Sequence, residues 1–371
     1  MLQSPSVLTM LIGFVLVLGP LVVLHEFGHY LVGRLFGVRA DAFSVGFGKE
    51  LIGHTDRRGT RWKLSALPLG GYVQFAGDMN AAGVADPAAA GMSAAELAGT
   101  FQSKLLWQRA LIVLAGPVTN LLVAIAIFAG FNLTYGKLDA PPVVAAFAQG
   151  SAAQAAGIKV GDRILAIDGD KVAQFAQVRE KVVAYPDHVV RILVQRAEAQ
   201  VTIPVRIAAH VETDQFGNHG RIGLLGIAAI RPKIVAVGPV EAVTIAGGQS
   251  ATVLRMMVTG IVQIVGGERS VKELGGPIKI AQYSGQQLSL GMPAFISFAA
   301  LISINLAFIN LLPIPTLDGG HLALYAAEAI RRKPVGQRSQ EWAFRTGLAL
   351  VLALMLFVTF NDLVSLRLFG G

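Results

Sequence analysis

Four stretches of the chain are apolar from end to end, without the periodic polar positions that mark an amphipathic element. Residues 1–24 carry no charged side chain. As a helix rising 1.5 Å per residue they would extend about 36 Å, enough for a hydrocarbon core of ~30 Å. The pattern continues past a short ionisable cluster, so a first transmembrane helix is expected over about 6–35. A cleavable signal peptide would open on basic residues and close on a small-residue cleavage site, and this segment shows neither. Further transmembrane helices are expected over about 110–131, 292–312 and 346–364, the last running past Asn361 and Asp362.

The intervening segments read differently. Residues 64–75 (LSALPLGGYVQF) are strand-like and apolar, yet hold two glycines and a proline. Such backbone can enter a membrane only when other parts of the protein bury it. Residues 138–209 alternate β-rich runs (143–147, 163–168, 189–196, 201–206) with turns, and include helical pieces at 152–156 and 175–183. This predicts a small soluble α+β module. In the following connecting region, 210–290, helices are expected over 238–265 and 276–289, broken at Gly247-Gly248, Gly266-Gly267 and Gly275-Gly276-Pro277. Glu241 and Arg255 place these at a membrane surface rather than across it. The Ala/Gly-rich stretch 81–95 is expected to be a loop. The membrane core is thus divided between 1–137 and 291–371.

Composition agrees with this reading: 53% of the 371 residues are hydrophobic and 15% charged, with a mean hydropathy of +0.58. The net charge of +8 does not imply nucleic acid as a partner, because the basic residues flank the apolar runs. Arg34, Arg39, Lys104, Arg109, Arg331, Arg332, Lys333, Arg338 and Arg345 mark those flanks as cytoplasmic by the positive-inside rule. Both termini and the α+β module then face the opposite side, which in a bacterium is the periplasm. With no cysteine, disulfides, thiolate metal sites and thiol nucleophiles are excluded.

His25-Glu26-Phe27-Gly28-His29 is an H-E-x-x-H pattern. On a helix the two imidazoles share one face and can bind a single zinc, with Glu26 beside them to activate water. Three ionisable groups near a membrane helix end each cost about 2.5 kcal/mol or more unless liganded, paired or hydrated. A catalytic zinc takes three protein ligands and keeps one open position. The third candidate lies after the 292–312 helix, in Asn310-Leu-Leu-Pro-Ile-Pro-Thr-Leu-Asp318-Gly-Gly-His321. The expected topology brings Asp318 to the same cytoplasmic side as the histidines. Pro313 and Pro315 interrupt the helix, and Gly319-Gly320 permits a close turn. Asp318 also suits the N-cap of a helix over about 319–330, and His321 ranks second as a ligand.

These residues carry a resemblance. HEFGH and NLLPIPTLDGGH, with FSVGFG at 43–48, LPLGGYVQFAGD at 67–78 and AGPVTN at 115–120, resemble the site-2 protease family of intramembrane zinc metalloproteases. The resemblance is greatest to the bacterial regulator of sigma-E protease branch. It implies one Zn2+ per chain held by His25, His29 and Asp318, with Glu26 as catalytic base, and cleavage within the transmembrane segment of single-span membrane proteins. Asn310 would position unwound substrate. Gly70, Gly71, Tyr72 and Val73 would belong to a membrane-associated β-hairpin whose edge pairs with the substrate backbone. The 138–209 module resembles a PDZ domain through GSAAQAAG at 150–157, VGDRI at 160–164 and IDG at 167–169, and would take a peptide or C-terminus by strand addition.

The expectation is therefore a polytopic α-helical protein of the bacterial inner membrane with an inserted periplasmic PDZ domain. The family's best-known members carry two such domains in tandem, and this chain has room for one. A PDZ adaptor with a vestigial metal site is the non-enzymatic alternative, and the intact Glu26 argues against it. A metal transporter would spread polar residues through several helices, which the 110–131 and 346–364 segments lack.

Overall fold

The computed structural model describes residues 5–77, 93–213, 219–268, 270–271, 275–333 and 335–365. In chain order, the elements begin with α1 (Val7–Leu35), β1 (Ala40–Thr55), β2 (Arg61–Phe75), α2 (Ala94–Ala98) and α3 (Leu106–Tyr135). Then come β3 (Lys137–Asp139), β4 (Val144–Phe147), α4 (Ala152–Ala155), β5 (Arg163–Ile167), β6 (Asp170–Lys171), α5 (Phe175–Val182), β7 (Val189–Arg196) and β8 (Ala199–Arg206). After these lie β9 (Ala208–Thr213), β10 (His219–Leu224), β11 (Ile227–Ala229), β12 (Lys233–Val235), α6 (Pro239–Val265), α7 (Pro277–Ser289), α8 (Met292–Asn310), α9 (Asp318–Arg331) and α10 (Gln337–Ser365). Most of the stretch expected to be a loop over 81–95 lies outside the described residues; its last two residues begin α2.

The chain divides into two compact units: residues 1–127 with 275–364, and residues 128–274 with 365–371. Among the described residues four helices are long and apolar enough to cross a membrane, namely α1, α3, α8 and the Arg338–Val364 part of α10. In the first unit α1 packs closely on α7. A side chain at Gly13 would meet the Ser284 carbonyl at 2.8 Å, and one at Gly285 would meet Met10 Cα at 2.8 Å. Small residues are what let two helix backbones approach this far. Asp362, fully buried in α10, accepts from the backbone N–H groups of Gly276 and Lys279 at 3.1 Å each. The acidic residue that interrupts the last apolar run thus caps the N-terminus of α7.

β1 and β2 form a curled antiparallel sheet in which residues 42–45 are paired on both sides. Phe43 faces Trp62 and Val73, and Ser44 faces Lys63 and Tyr72. β2 therefore doubles back, helped by Gly70 at φ +93°, and its 71–75 end forms an outer strand. An apolar cluster of Tyr30 from α1, Phe43, Phe75, Phe101 and Ile112 of α3 anchors this sheet. Tyr30 meets Phe43 and Trp62 edge-on, with ring centroids 5.9 and 5.2 Å apart.

The second unit contains a four-stranded sheet in the order β6-β5-β7-β8. Strict alternation on β7 buries Val190, Ile192 and Val194, and β8 answers with Ile203 and Val205. The strands after residue 209 take part as well: Leu225 is in the same core, β11 pairs with β4, and β12 with β3. β11 and β12 are three residues long, too short for alternation to show in a sequence. α6 runs through Gly247-Gly248 as one helix, correcting the expected break there. Each helical glycine costs only about 1 kcal/mol, and Ala242, Ala246 and Ser250 bury the helix on both sides of the pair.

Candidate metal centre

His25 and His29 lie one turn apart on α1, 7% and 8% exposed, with Nε2 atoms 3.2 Å from each other. Asp318 Oδ2 is 3.2 Å from His25 Nε2 and 3.5 Å from His29 Nε2. The N-cap of α9 is Leu317, so Asp318 is the first helical residue rather than the cap. Its carboxylate is thereby free to turn toward the histidines. Gly319 and Gly320 make this possible: a Cβ on either would fall 2.3 Å from the Leu311 carbonyl oxygen or 2.2 Å from that of Ile314. The chain between α8 and α9 thus folds directly against them.

The three donor atoms fit a zinc ion. At bond lengths of about 2.0–2.1 Å, neighbouring corners of a tetrahedron are about 3.3 Å apart, the spacing observed. Asp318 Oδ2 is buried with no hydrogen-bond donor, the state of an oxygen that ligates a cation. His321 is held down toward its neutral form by burial. It lines the same cavity but is not in the three-donor group.

α3 provides the surroundings of the two histidines. His29 Nδ1 is 2.8 Å from the Ile112 carbonyl oxygen, which fixes that ring with its proton on Nδ1 and its Nε2 free to ligate. Asn120, fully buried, places its carboxamide 3.3 Å from His25 Nδ1. A Cβ on Gly116 would lie 2.2 Å from His29 Nε2 and 2.7 Å from His25 Cε1. Gly116 and Asn120 both belong to the AGPVTN stretch, to which sequence reasoning gave no role; its signal was a glycine and a carboxamide in an apolar helix.

Glu26 Oε2 accepts the backbone N–H of Val73 at 3.1 Å. The outer strand of the sheet is thus joined to the residue between the two histidines. The cavity, about 260 Å3, is lined by His25, Glu26, His29, Val73, Asn310 and Asp318, among others. Of the expected substrate-binding residues, Asn310 and Val73 reach it, whereas Gly70, Gly71 and Tyr72 are not among its lining residues. Gly71 stands just behind, where a Cβ would be 3.7 Å from Glu26 Cγ. Tyr72 stacks on Phe47, and its hydroxyl accepts from Lys63 Nζ at 2.9 Å.

Residues 13–354 match the family model described as Peptidase family M50. A protein of Agrobacterium fabrum provisionally named a zinc metalloprotease is 46% identical over 361 residues, covering 96% of both chains. One of Rhizobium meliloti with the same provisional name is 45% identical, covering 94% of this chain and 95% of its own. The metalloprotease MmpA of Caulobacter vibrioides is 32% identical over 96% of each.

Proposed function

We propose, from the premise that the chain belongs to peptidase family M50, the site-2 protease family, that it cuts transmembrane segments of single-span membrane proteins. As a member of that family it is a zinc metalloprotease, and its four apolar helices make it a multi-pass membrane protein. His25, His29 and Asp318 hold one Zn2+. When bound, zinc supplies Lewis acidity that lowers the pKa of water and polarises a carbonyl. The observation that carries the reading is the triangle of donor atoms, 3.2–3.5 Å on a side, two of them on a membrane helix with Glu26 beside them and the third on α9.

Glu26 acts as general base, taking a proton from the attacking water and delivering it to the departing amide nitrogen. Its hydrogen bond from Val73 aims the carboxylate. A transmembrane substrate shields its peptide bonds within its own helix, so it must unwind and find replacement partners. The outer strand at 71–75, which pairs with β1 on one side and with no other strand among the described residues, with the Val73 N–H held by Glu26, offers those partners by strand addition. Asn310, at the end of α8 and on the cavity wall, holds the unwound segment by its carboxamide. Gly70 and Gly71 let the strand turn and approach.

Anti-sigma factors and signal-peptide remnants fit this substrate class. The basic flanks support an inner-membrane topology with the active site toward the cytoplasm and both termini in the periplasm. The β-rich second unit would then be periplasmic. Its GSAAQAAG and VGDRI stretches support a PDZ reading, with a peptide or C-terminus as ligand.

Zinc content of the purified protein tests the site. About one zinc per chain is expected, lost in His25→Ala, His29→Ala and Asp318→Ala and kept in Glu26→Gln and His321→Ala. Full zinc in Asp318→Ala, or loss in His321→Ala, would reassign the third ligand.

A further inference from the structure

We propose that Asn120 of α3 is the positioning residue for His25, its Oδ1 accepting the proton of His25 Nδ1 and leaving Nε2 bare to ligate. The inference rests on the zinc-site reading above and adds a residue to it.

The two histidines are held differently. His29 Nδ1 meets a backbone carbonyl, that of Ile112, at 2.8 Å, which no side-chain substitution removes. Among the described residues His25 Nδ1 meets a side chain instead, the Asn120 carboxamide, whose Nδ2 is at 3.3 Å. An imidazole that ligates through Nε2 carries its proton on Nδ1 and needs an acceptor there. The amide's two orientations have the same shape, and the one with Oδ1 toward His25 is the one that accepts. It also satisfies Asn120 Oδ1, a buried oxygen with no partner in the opposite orientation. The residue cannot swing away. It is fully buried, and Ser303 Oγ of α8 donates to its backbone carbonyl at 2.7 Å.

Packing alone would require only a side chain of asparagine's volume. An acceptor is a stricter demand, and two substitutions separate the possibilities. Asn120→Leu keeps the branched outline, with bulkier methyl groups, and removes the acceptor; Asn120→Asp keeps both size and shape and can only accept. Zinc affinity and release into a chelator are measured on the full-length protein in detergent, with His25→Ala as control. Thermal melts of the metal-free forms run alongside.

Asn120→Leu is expected to lose about 10–100-fold in zinc affinity, the usual cost of removing such a supporting partner. Asn120→Asp, a stronger acceptor that makes the imidazole more basic, is expected to release zinc several-fold more slowly than wild type. Wild-type affinity in the leucine variant, or release from the aspartate variant at the wild-type rate or faster, overturns the proposal. If the leucine variant does not fold, the aspartate variant decides alone by the same criterion. Zinc retained by His25→Ala would instead break the metal-site reading itself, so the two failures are distinguishable.

Discussion

Gly116→Ala adds one methyl group to α3, and at most helical positions that change stabilises by up to about 1 kcal/mol. Here the opposite is expected. The new Cβ would lie 2.2 Å from His29 Nε2, 2.5 Å from His29 Cε1 and 2.7 Å from His25 Cε1. Reaching ordinary contact requires the imidazoles to retreat by roughly 1 Å. Neither ring has that freedom, because His29 is tethered to the Ile112 carbonyl and His25 to the buried Asn120 carboxamide. The helices cannot part cheaply either, since α1 lies so close to α3 that a Cβ on Gly28 would be 2.7 Å from the Ala115 carbonyl oxygen. Overpacking of this kind costs about 1–3 kcal/mol. Ligand geometry tolerates only about 0.5 Å, so zinc affinity should fall by roughly 10–100-fold and turnover by about 100-fold. Gly130→Ala on the same helix is the control, because nothing lies within 4 Å of the added methyl; it should leave metal binding unchanged. The assay is zinc competition against a chelator, with thermal melts of each variant with and without metal. Wild-type affinity in Gly116→Ala would refute the packing described for the two histidines.

Val73→Pro removes the N–H that Glu26 accepts and should abolish most cleavage while zinc content stays at one per chain; full activity would make the contact incidental. In the second unit, buried Asp162 takes Arg196 in a fork of 2.8 and 2.6 Å and the Lys159 N–H at 2.8 Å. The Arg196 hydrogen bond, foremost, holds its carboxyl below the usual range. A depressed carboxyl stabilises above its unfolded pKa of about 4. Its contribution should therefore be lost as pH falls through the lower folded value. Asp162→Asn should lower stability by about 1–3 kcal/mol at pH 7 and flatten acid unfolding below pH 4; an unchanged acid limb would contradict this. Because the chain has no cysteine, single cysteines at Glu198 and Gly336 report topology. An impermeant thiol reagent added outside the inner membrane should label the first and not the second, and reversed labelling would invert the topology.

The zinc motif was legible because helical periodicity alone places residues four apart on one face. Asp318 was legible by combining chain topology with the two prolines and two glycines around it. Its place as first helical residue rather than N-cap was not, since both sit at the same point in a sequence pattern. Gly116 and Asn120 were hidden because their roles come from the register of α3 against α1, which no local pattern encodes. The double pairing of residues 42–45 was hidden for a related reason: one strand with two partners reads like a strand with one. Asp362 looked like an interruption of an apolar run, and only the packing of α10 on α7 reveals it as a cap.

The most direct test is the fate of one single-span membrane protein incubated with zinc-loaded wild-type enzyme and with zinc-loaded Glu26→Gln, the products mapped by mass spectrometry. Wild type is expected to cut within the transmembrane segment, and Glu26→Gln to leave the substrate intact at equal zinc content. Cleavage by the glutamine variant at the wild-type rate would contradict the account.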